Sequence, residues 1–326
     1  MKKIFAIAIS VLMLASLVAC GTTNAPADNA ATAKFGAAIY VGEAKATDAT
    51  ADKDGQGSAD VTMAAVTVDA DGKIVACRID TMQNTLKYTV DGKAIGNPEA
   101  KTKRELGNDY GMSATGKKEW FEQINALEGV VAGKTLDEVK ALMVEGYKPG
   151  DALVAAGCTI SIPDYIAAIE KAYNAAKNGP EVAADATLKI GMYTEQSLAE
   201  ATADKEGNNS ADVYAFAAAV DANGKVIKGF SDCVQLKFTF DTAGKSKFDA
   251  TKAIKSKFEQ GSDYGMTAIG KQEWYIQAAA FDTQCEGKTG AEIAGLVNAD
   301  GKGVESVQTA GCTISISGMV KAASKI

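Results

Sequence analysis

One short run occurs twice without change: Ala-Gly-Cys-Thr-Ile-Ser stands at residues 156–161 and again at 310–315. A hydroxyl that follows glycine and a small residue, just ahead of a helix, offers an attachment point for a phosphate. Glycine lets the backbone come close, and the free N–H groups of a helix start favour an anion. The candidate side chains are Thr159 and Thr313, with Gly157, Cys158, Gly311 and Cys312 shaping the two turns, and Ser161 and Ser315 as neighbouring hydroxyls. The competing role is a tight strand-to-helix turn whose Thr and Ser only cap the helix. The chain of 326 residues has no histidine, which excludes Ser-His-Asp and Cys-His nucleophiles, histidine-ligated zinc or haem, and a histidine proton shuttle. Chemistry must therefore come from carboxylates, lysines, hydroxyls, cysteines or a bound cofactor. With 34 Lys+Arg against 41 Asp+Glu, the formal charge of −7 argues against a nucleic-acid surface.

Asp109-Tyr110-Gly111-Met112 and its copy Asp263-Tyr264-Gly265-Met266 form the second constellation. Tyrosine can stack on a planar ring, methionine can make a sulfur–aromatic contact, and glycine permits backbone approach. The same residues would equally fill the core beside the helix that Trp120 heads. Lys117 and Lys271 can neutralise a phosphate or simply be solvated, and Trp120 and Trp274 read as core. Other signals fail. Asp52-Lys53-Asp54-Gly55 lacks the later ligands and closing glutamate of a calcium loop, and Gly55-Gln56-Gly57 lacks the third glycine of a dinucleotide fingerprint. Cys158 and Cys312 have no CxxC partner, so no metal site is expected. Five cysteines follow Cys20, an odd number without a repeated framework, and they read as free, mostly buried thiols.

The elements that must hold these residues are also written twice. Thr50-Ala51-Asp52-Lys53 recurs at 202–205, an offset of 152, and the Tyr-Gly-Met segment recurs at an offset of 154. Two tandem domains, 35–177 and 188–326, are expected, with 178–187 as the joint. Continuous apolar runs at 61–68 and 213–220 precede Asp71-Gly72 and Asn223-Gly224, which signal hairpins. Ile74–Ile79 and Val226–Phe230 return antiparallel, and Leu86–Val90 and Leu236–Phe240 suggest one further strand each. Helical spacing then takes over: Trp120, Ile124, Leu127 and Val131 share a face, as do Trp274, Ala278, Phe281 and Cys285. Thr135 with Glu138, and Thr289 with Glu292, fit capping boxes, and Pro163 opens a last helix. The fold class is α+β: two tandem copies of a small antiparallel sheet, each packed on one side by helices.

At the N-terminus, Lys2 and Lys3 precede an apolar stretch, Ile4 to Leu14, too short to span a bilayer comfortably. Leu17-Val18-Ala19-Cys20 then resembles the lipobox of bacterial lipoproteins. That resemblance implies a signal peptide over 1–19, lipidation of Cys20, and a location outside the cytoplasmic membrane. Residues 20–34, small and polar, read as a flexible tether.

Gly157-Cys158-Thr159 and Gly311-Cys312-Thr313 resemble the flavinylation motif of FMN-binding domain proteins, which ends Ser/Thr-Gly-Ala-Thr. Ala156 and Ala310 replace its first hydroxyl, Cys158 and Cys312 replace its alanine, and Leu153 and Val307 stand where the family has aspartate. Together with Asp-Tyr-Gly-Met, Gly-Lys-x-Glu-Trp (116–120 and 270–274) and Gly-Lys-Thr, the repeat is similar to tandem FMN-binding lipoproteins of Gram-positive bacteria. The resemblance implies FMN held by a phosphoester on Thr159 and on Thr313, up to two per chain, installed from FAD by a magnesium-dependent flavin transferase. It also implies an electron carrier rather than an enzyme, fed by a membrane quinol-linked donor and discharging to an extracellular acceptor or reductase. The alternative is a duplicated surface lipoprotein that binds a small ligand or peptide without a covalent cofactor.

Overall fold

A computed structural model describes residues 31–97 and 100–326; Cys20, the leader and most of the expected tether lie outside the described residues. The first copy begins with strands β1 (Thr32–Val41), β2 (Lys45–Thr47), β3 (Gly55–Val68), β4 (Ile74–Tyr88) and β5 (Ala94–Ile95). Helices α1 (Lys103–Leu106), α2 (Trp120–Val131) and α3 (Leu136–Lys140) follow. A small hairpin of β6 (Met143–Val144) and β7 (Lys148–Pro149) leads to α4 (Asp151–Ala156) and α5 (Pro163–Ala176). After β8 (Glu181–Ala183) the plan repeats with β9 (Thr187–Ala199), β10 (Gly207–Val220) and β11 (Val226–Phe240). Helices α6 (Lys257–Gln260), α7 (Trp274–Cys285), α8 (Gly290–Ile293), α9 (Glu305–Thr309) and α10 (Ser317–Ala323) complete it.

The fold is α+β, with antiparallel sheets packed by helices. Both hairpin signals act as expected. Asp69 accepts from the N–H groups of Asp71 and Lys73, Asp221 does the same for Asn223 and Lys225, and Gly72 and Gly224 take positive φ. Four boundaries differ from the sequence reading, one of them in the second copy, where the strands expected at Val226–Phe230 and Leu236–Phe240 are the single strand β11. The strands expected at 74–79 and 86–90 are one, because β4 pairs with β3 without a break through Thr81, Gln83 and Asn84. The polar residues in that stretch are tolerated since Thr81 shares a hydrogen bond with Thr62 at 2.9 Å and Asn84 donates to Met82 O. Strand β1 starts at Thr32, inside the span read as tether, and β8, inside the expected joint, pairs with β1.

Strand order β5-β4-β3-β1-β8 in one sheet and β11-β10-β9 in the other presents two similar surfaces. Along β3, Val61, Met63 and Ala65 face one core while Ala64, Val66 and Val68 face another. Along β10, Val213, Ala215 and Ala217 join the first of these, and Phe216, Ala218 and Val220 face a third. The sheets therefore pack face to face, and each carries helices on its outer side: α2, α4 and α5 in the first copy, α7, α9 and α10 in the second. The unbroken apolar runs at 61–68 and 213–220 follow directly, because strands buried on both faces need no polar alternation.

The two copies meet about an approximate two-fold axis. Tyr88 and Phe240, equivalent by the 152-residue offset, stack on each other with centroids 4.4 Å apart and planes 11° apart. Ala49 N donates to Gly244 O, and its counterpart Ala201 N donates to Gly92 O, both at 2.8 Å. Lys171 pairs with Glu259 as its counterpart Lys325 pairs with Glu105. Such reciprocal contacts are those of an isologous dimer, made here within one chain. Among the described residues no helix is long and apolar enough to cross a membrane.

Candidate functional site

Helix α2 buries Trp120, Ile124, Leu127 and Val131 as its spacing requires, and that orientation carries Gln123 inward as well. The Gln123 side chain is fully buried and spans two segments. Its Nε2 donates to Lys118 O at 2.8 Å, while its Oε1 accepts from both Thr159 N (2.8 Å) and Thr159 Oγ1 (3.0 Å). Gln277 on α7 repeats this, donating to Gln272 O at 2.7 Å and accepting from Thr313 N and Oγ1 at 2.9 and 3.1 Å. Helices α4 and α9 lead into the turn, and Gly157 (φ 101°) and Gly311 (φ 108°) adopt the left-handed conformation that glycine accepts readily. Both threonines are exposed, with the hydroxyl proton engaged by the glutamine and the oxygen lone pairs left free.

The capping role is not what these hydroxyls perform. The N-caps of α5 and α10 are Ile162 and Ile316, without a side-chain cap hydrogen bond, and Ser315 Oγ donates to Gly301 O instead. Cys158 and Cys312 are the free, buried thiols that the sequence leads one to expect. Their thiols are fully buried in the two helical cores, away from the exposed side of the turn. Burial raises both thiols, Cys312 to about 11, so neither is a thiolate at neutral pH. Leu153 and Val307 are also fully buried, which explains why no carboxylate stands there. At Gly157 the neighbouring cation is Lys118 rather than Lys117: a methyl group on Gly157 would stand 2.6 Å from its Nζ. The second copy has Gln272 in that place.

Asp-Tyr-Gly-Met forms two successive 3-10 turns joined at Gly111 and Gly265, both at φ 82°. The glutamate of Gly-Lys-x-Glu-Trp holds them. Glu119 accepts from Met112 N and Ser113 N at 3.1 and 2.9 Å, and Glu273 from Met266 N and Thr267 N, both at 3.1 Å. Hydrogen bonds from Ser113 and from Thr267 lead the causes that hold these carboxyls below the usual range. Two motifs distant in role are thus one device, which fixes the tyrosine and methionine against the tryptophan helix. Asp109 and Asp263 are exposed at the outer end of this turn.

In the second copy Tyr264, Gly265, Met266 and Trp274 wall a cleft of about 400 Å³ whose other side is Ile314 and Ser315, next to Thr313. The structure therefore brings together the two constellations that the sequence singled out separately. Its floor is a residue the sequence reading missed, Lys257, only 5% exposed and surrounded by aromatic rings. The Nζ lies 5.2 Å from the Tyr264 centroid, 5.6 Å from Trp274 and 5.8 Å from Tyr214, and 3.5 Å from Asp212. Lys103 matches it in the first copy, 5.3 Å from Tyr110, 5.8 Å from Trp120 and 2.9 Å from Asp60. Burial opposes the charge on each lysine, yet neighbours hold both above the ordinary range: Tyr165 and Asp60 for Lys103, Cys233 and Asp212 for Lys257. Each lysine sits in a repeated capping box, Thr102 with Glu105 and Ser256 with Glu259. That duplicated pattern, and the shared Trp-x-x-Gln of 120–123 and 274–277, were the signals that could have located them.

Chemically, the arrangement offers an exposed, oriented hydroxyl beside an aromatic, thioether-lined cleft of ligand size. The hydroxyl's hydrogen-bond partner is a glutamine carbonyl, which cannot take up its proton. No family model, curated protein or solved structure matches the chain.

Proposed function

We propose that this protein is an extracytoplasmic, lipid-anchored electron carrier with FMN esterified to Thr159 and Thr313. The observation that carries the reading is the pairing, in one place, of an exposed threonine hydroxyl with a cleft walled by Tyr264, Met266 and Trp274. The groups present suit a flavin: aromatic and thioether surfaces for the ring, a lysine ammonium at the floor, and an exposed threonine hydroxyl, one residue from the cleft wall at Ile314, for the phosphate. Bound there, the cofactor would supply reversible electron transfer that the side chains lack. The chain's own work is to hold the threonine through its buried glutamine, to fix the Tyr-Gly-Met wall through Glu119 and Glu273, and to shield one side of the ring. The glutamine that holds each hydroxyl cannot act as its base, which fits attachment by an external flavin transferase. Outside the membrane a covalent link keeps the local concentration high whatever the intrinsic affinity. The donor would be a membrane quinol-linked enzyme and the acceptor an extracellular molecule or reductase.

The test is the intact mass of the protein from a host that has the transferase, with peptide mapping across 151–165 and 305–319. Two FMN-sized additions are expected, one on each threonine peptide, and Thr159→Ala and Thr313→Ala each remove one. Unmodified peptides would refute the carrier and leave a duplicated ligand-binding lipoprotein that uses the same cleft without a covalent bond.

A further inference from the structure

The same chemical groups surround the caged lysine in both copies, but different elements carry them. In the first copy one phenol comes from α5 as Tyr165, which accepts a hydrogen bond from Trp120 Nε1 at 2.8 Å, and Thr62 lies on β3. In the second copy Met319 stands at the position of Tyr165, and Tyr214 at that of Thr62. Gly318 makes room for the transferred ring, because a methyl group there would stand 2.2 Å from Tyr214. The carboxylates exchange in the same manner. Asp164 on α5 reaches toward Gly42, where a methyl group would meet its Oδ2 at 2.7 Å. The second copy has Gly318 in place of Asp164, and Glu195, in register with Asp212, in place of Gly42. Each copy thus keeps one buried lysine, its paired aspartate, two tyrosines and a tryptophan, and a second carboxylate neighbours the paired aspartate. Packing alone requires volume at these places; it does not require a phenol to replace a phenol or a carboxylate to replace a carboxylate.

Resting on the flavoprotein reading, we propose that Lys257, and Lys103 in the first copy, is the fixed positive charge that meets the bound flavin ring and favours its reduction. Two electrons from a reductant such as dithionite, with one proton from water, add one net negative charge to a flavin ring. An ammonium with few water neighbours lowers the energy of that charge far more than a solvated one does. Asp60 and Asp212 temper the effect and keep the lysine charged in the empty cleft. The surrounding rings hold its stem and exclude water.

The experiment is a spectroelectrochemical titration of the flavin-carrying protein in a Thr159→Ala background, so that only the second site reports. Lys257→Met is expected to disfavour reduction on the order of tenfold in the equilibrium constant, the effect of one hydrogen bond to a charged group. Asp212→Asn, which removes the carboxylate paired with the ammonium, is expected to move it the other way, and Lys257→Arg to stay near the parent. Opposite signs from two neighbouring side chains are not what a packing role would produce. A Lys257→Met protein with the parent's potential overturns the proposal while the flavoprotein reading stands. Covalent flavin missing from the parent overturns both. Should Lys257→Met fail to fold, Asp212→Asn decides alone, and an unchanged potential there counts against the proposal.

Discussion

At Asp282 the second copy has lost the counter-ions that its equivalent retains. Glu128 accepts from Arg104 at 2.6 Å and lies 3.6 Å from Arg78. In the second copy those arginines are Phe258 and Phe230, and the carboxyl is Asp282, hydrogen-bonded to Ser231 N and Oγ. Burial pushes Asp282 up to about 7, against Ser231 hydrogen bonds that lower it, and burial does the same for nearby Asp232. The folded state then binds protons that the unfolded chain, with an ordinary carboxyl near 3.8, has already released. This contribution to stability is whole below about pH 4, is lost as pH rises toward 7, and is flat above that. Asp282→Asn removes one such group. The variant is expected to exceed the parent above pH 7 by on the order of 2 kcal/mol, the difference vanishing near pH 4. Urea midpoints at pH 4, 6 and 8 measure it, and a constant difference across that range would contradict the assignment.

The short turns that wall the cleft depend on Gly111 and Gly265, and here the strain argument can be isolated. A methyl group at Gly265 would meet nothing closer than Asp263 O at 3.8 Å, so Gly265→Ala adds no clash. It adds only the cost of a left-handed residue with a Cβ, about 1–2 kcal/mol. Thermal unfolding of Gly265→Ala should show that loss, and an unchanged melting temperature would mean that the φ of 82° is not maintained in solution. At this scale the sequence was readable wherever a pattern is local. The Asp-Gly and Asn-Gly hairpins, the stripes of α2 and α7, Pro163, and the capping boxes at Thr135 and Thr289 all depend on neighbours within a few positions. Repetition marks the positions of Gln123 and Lys103, but their roles were not readable, because these come from partners 36 and 43 residues away, at Thr159 and Asp60. The Tyr-Gly-Met turn lay between: its residues stood out by repetition, but their clamp, Glu119, needed coordinates to be recognised.

For the molecule as a whole, the question is whether the two copies fold as neighbours or as one body, and the shared core between the sheets answers for one body. That core has diverged in a reciprocal way. Gly57 on β3 leaves space for Phe238 on β11: a methyl group at Gly57 would stand 2.0 Å from the ring. The equivalent pair is Asn209 and Leu86, with Asn209 donating to Lys87 O and Ile95 O of the first copy at 2.9 and 3.0 Å. Two copies of the first half would set glycine against leucine and leave space, and two of the second would set asparagine against phenylalanine and overfill it, so each half now complements the other. Gly57→Ala should therefore destabilise the protein by about 1–3 kcal/mol through overpacking, although it touches neither cleft. The loss must appear in both copies together. Trp120 and Trp274 lie in opposite helical layers and are the only tryptophans, so single Trp→Phe backgrounds report the halves separately. In urea, Gly57→Ala is expected to lower the midpoint of the Trp274 signal as much as that of Trp120. If Trp274 unfolded at its original midpoint, the copies would be independent domains that merely touch, and changes in one could not bear on the site held by the other.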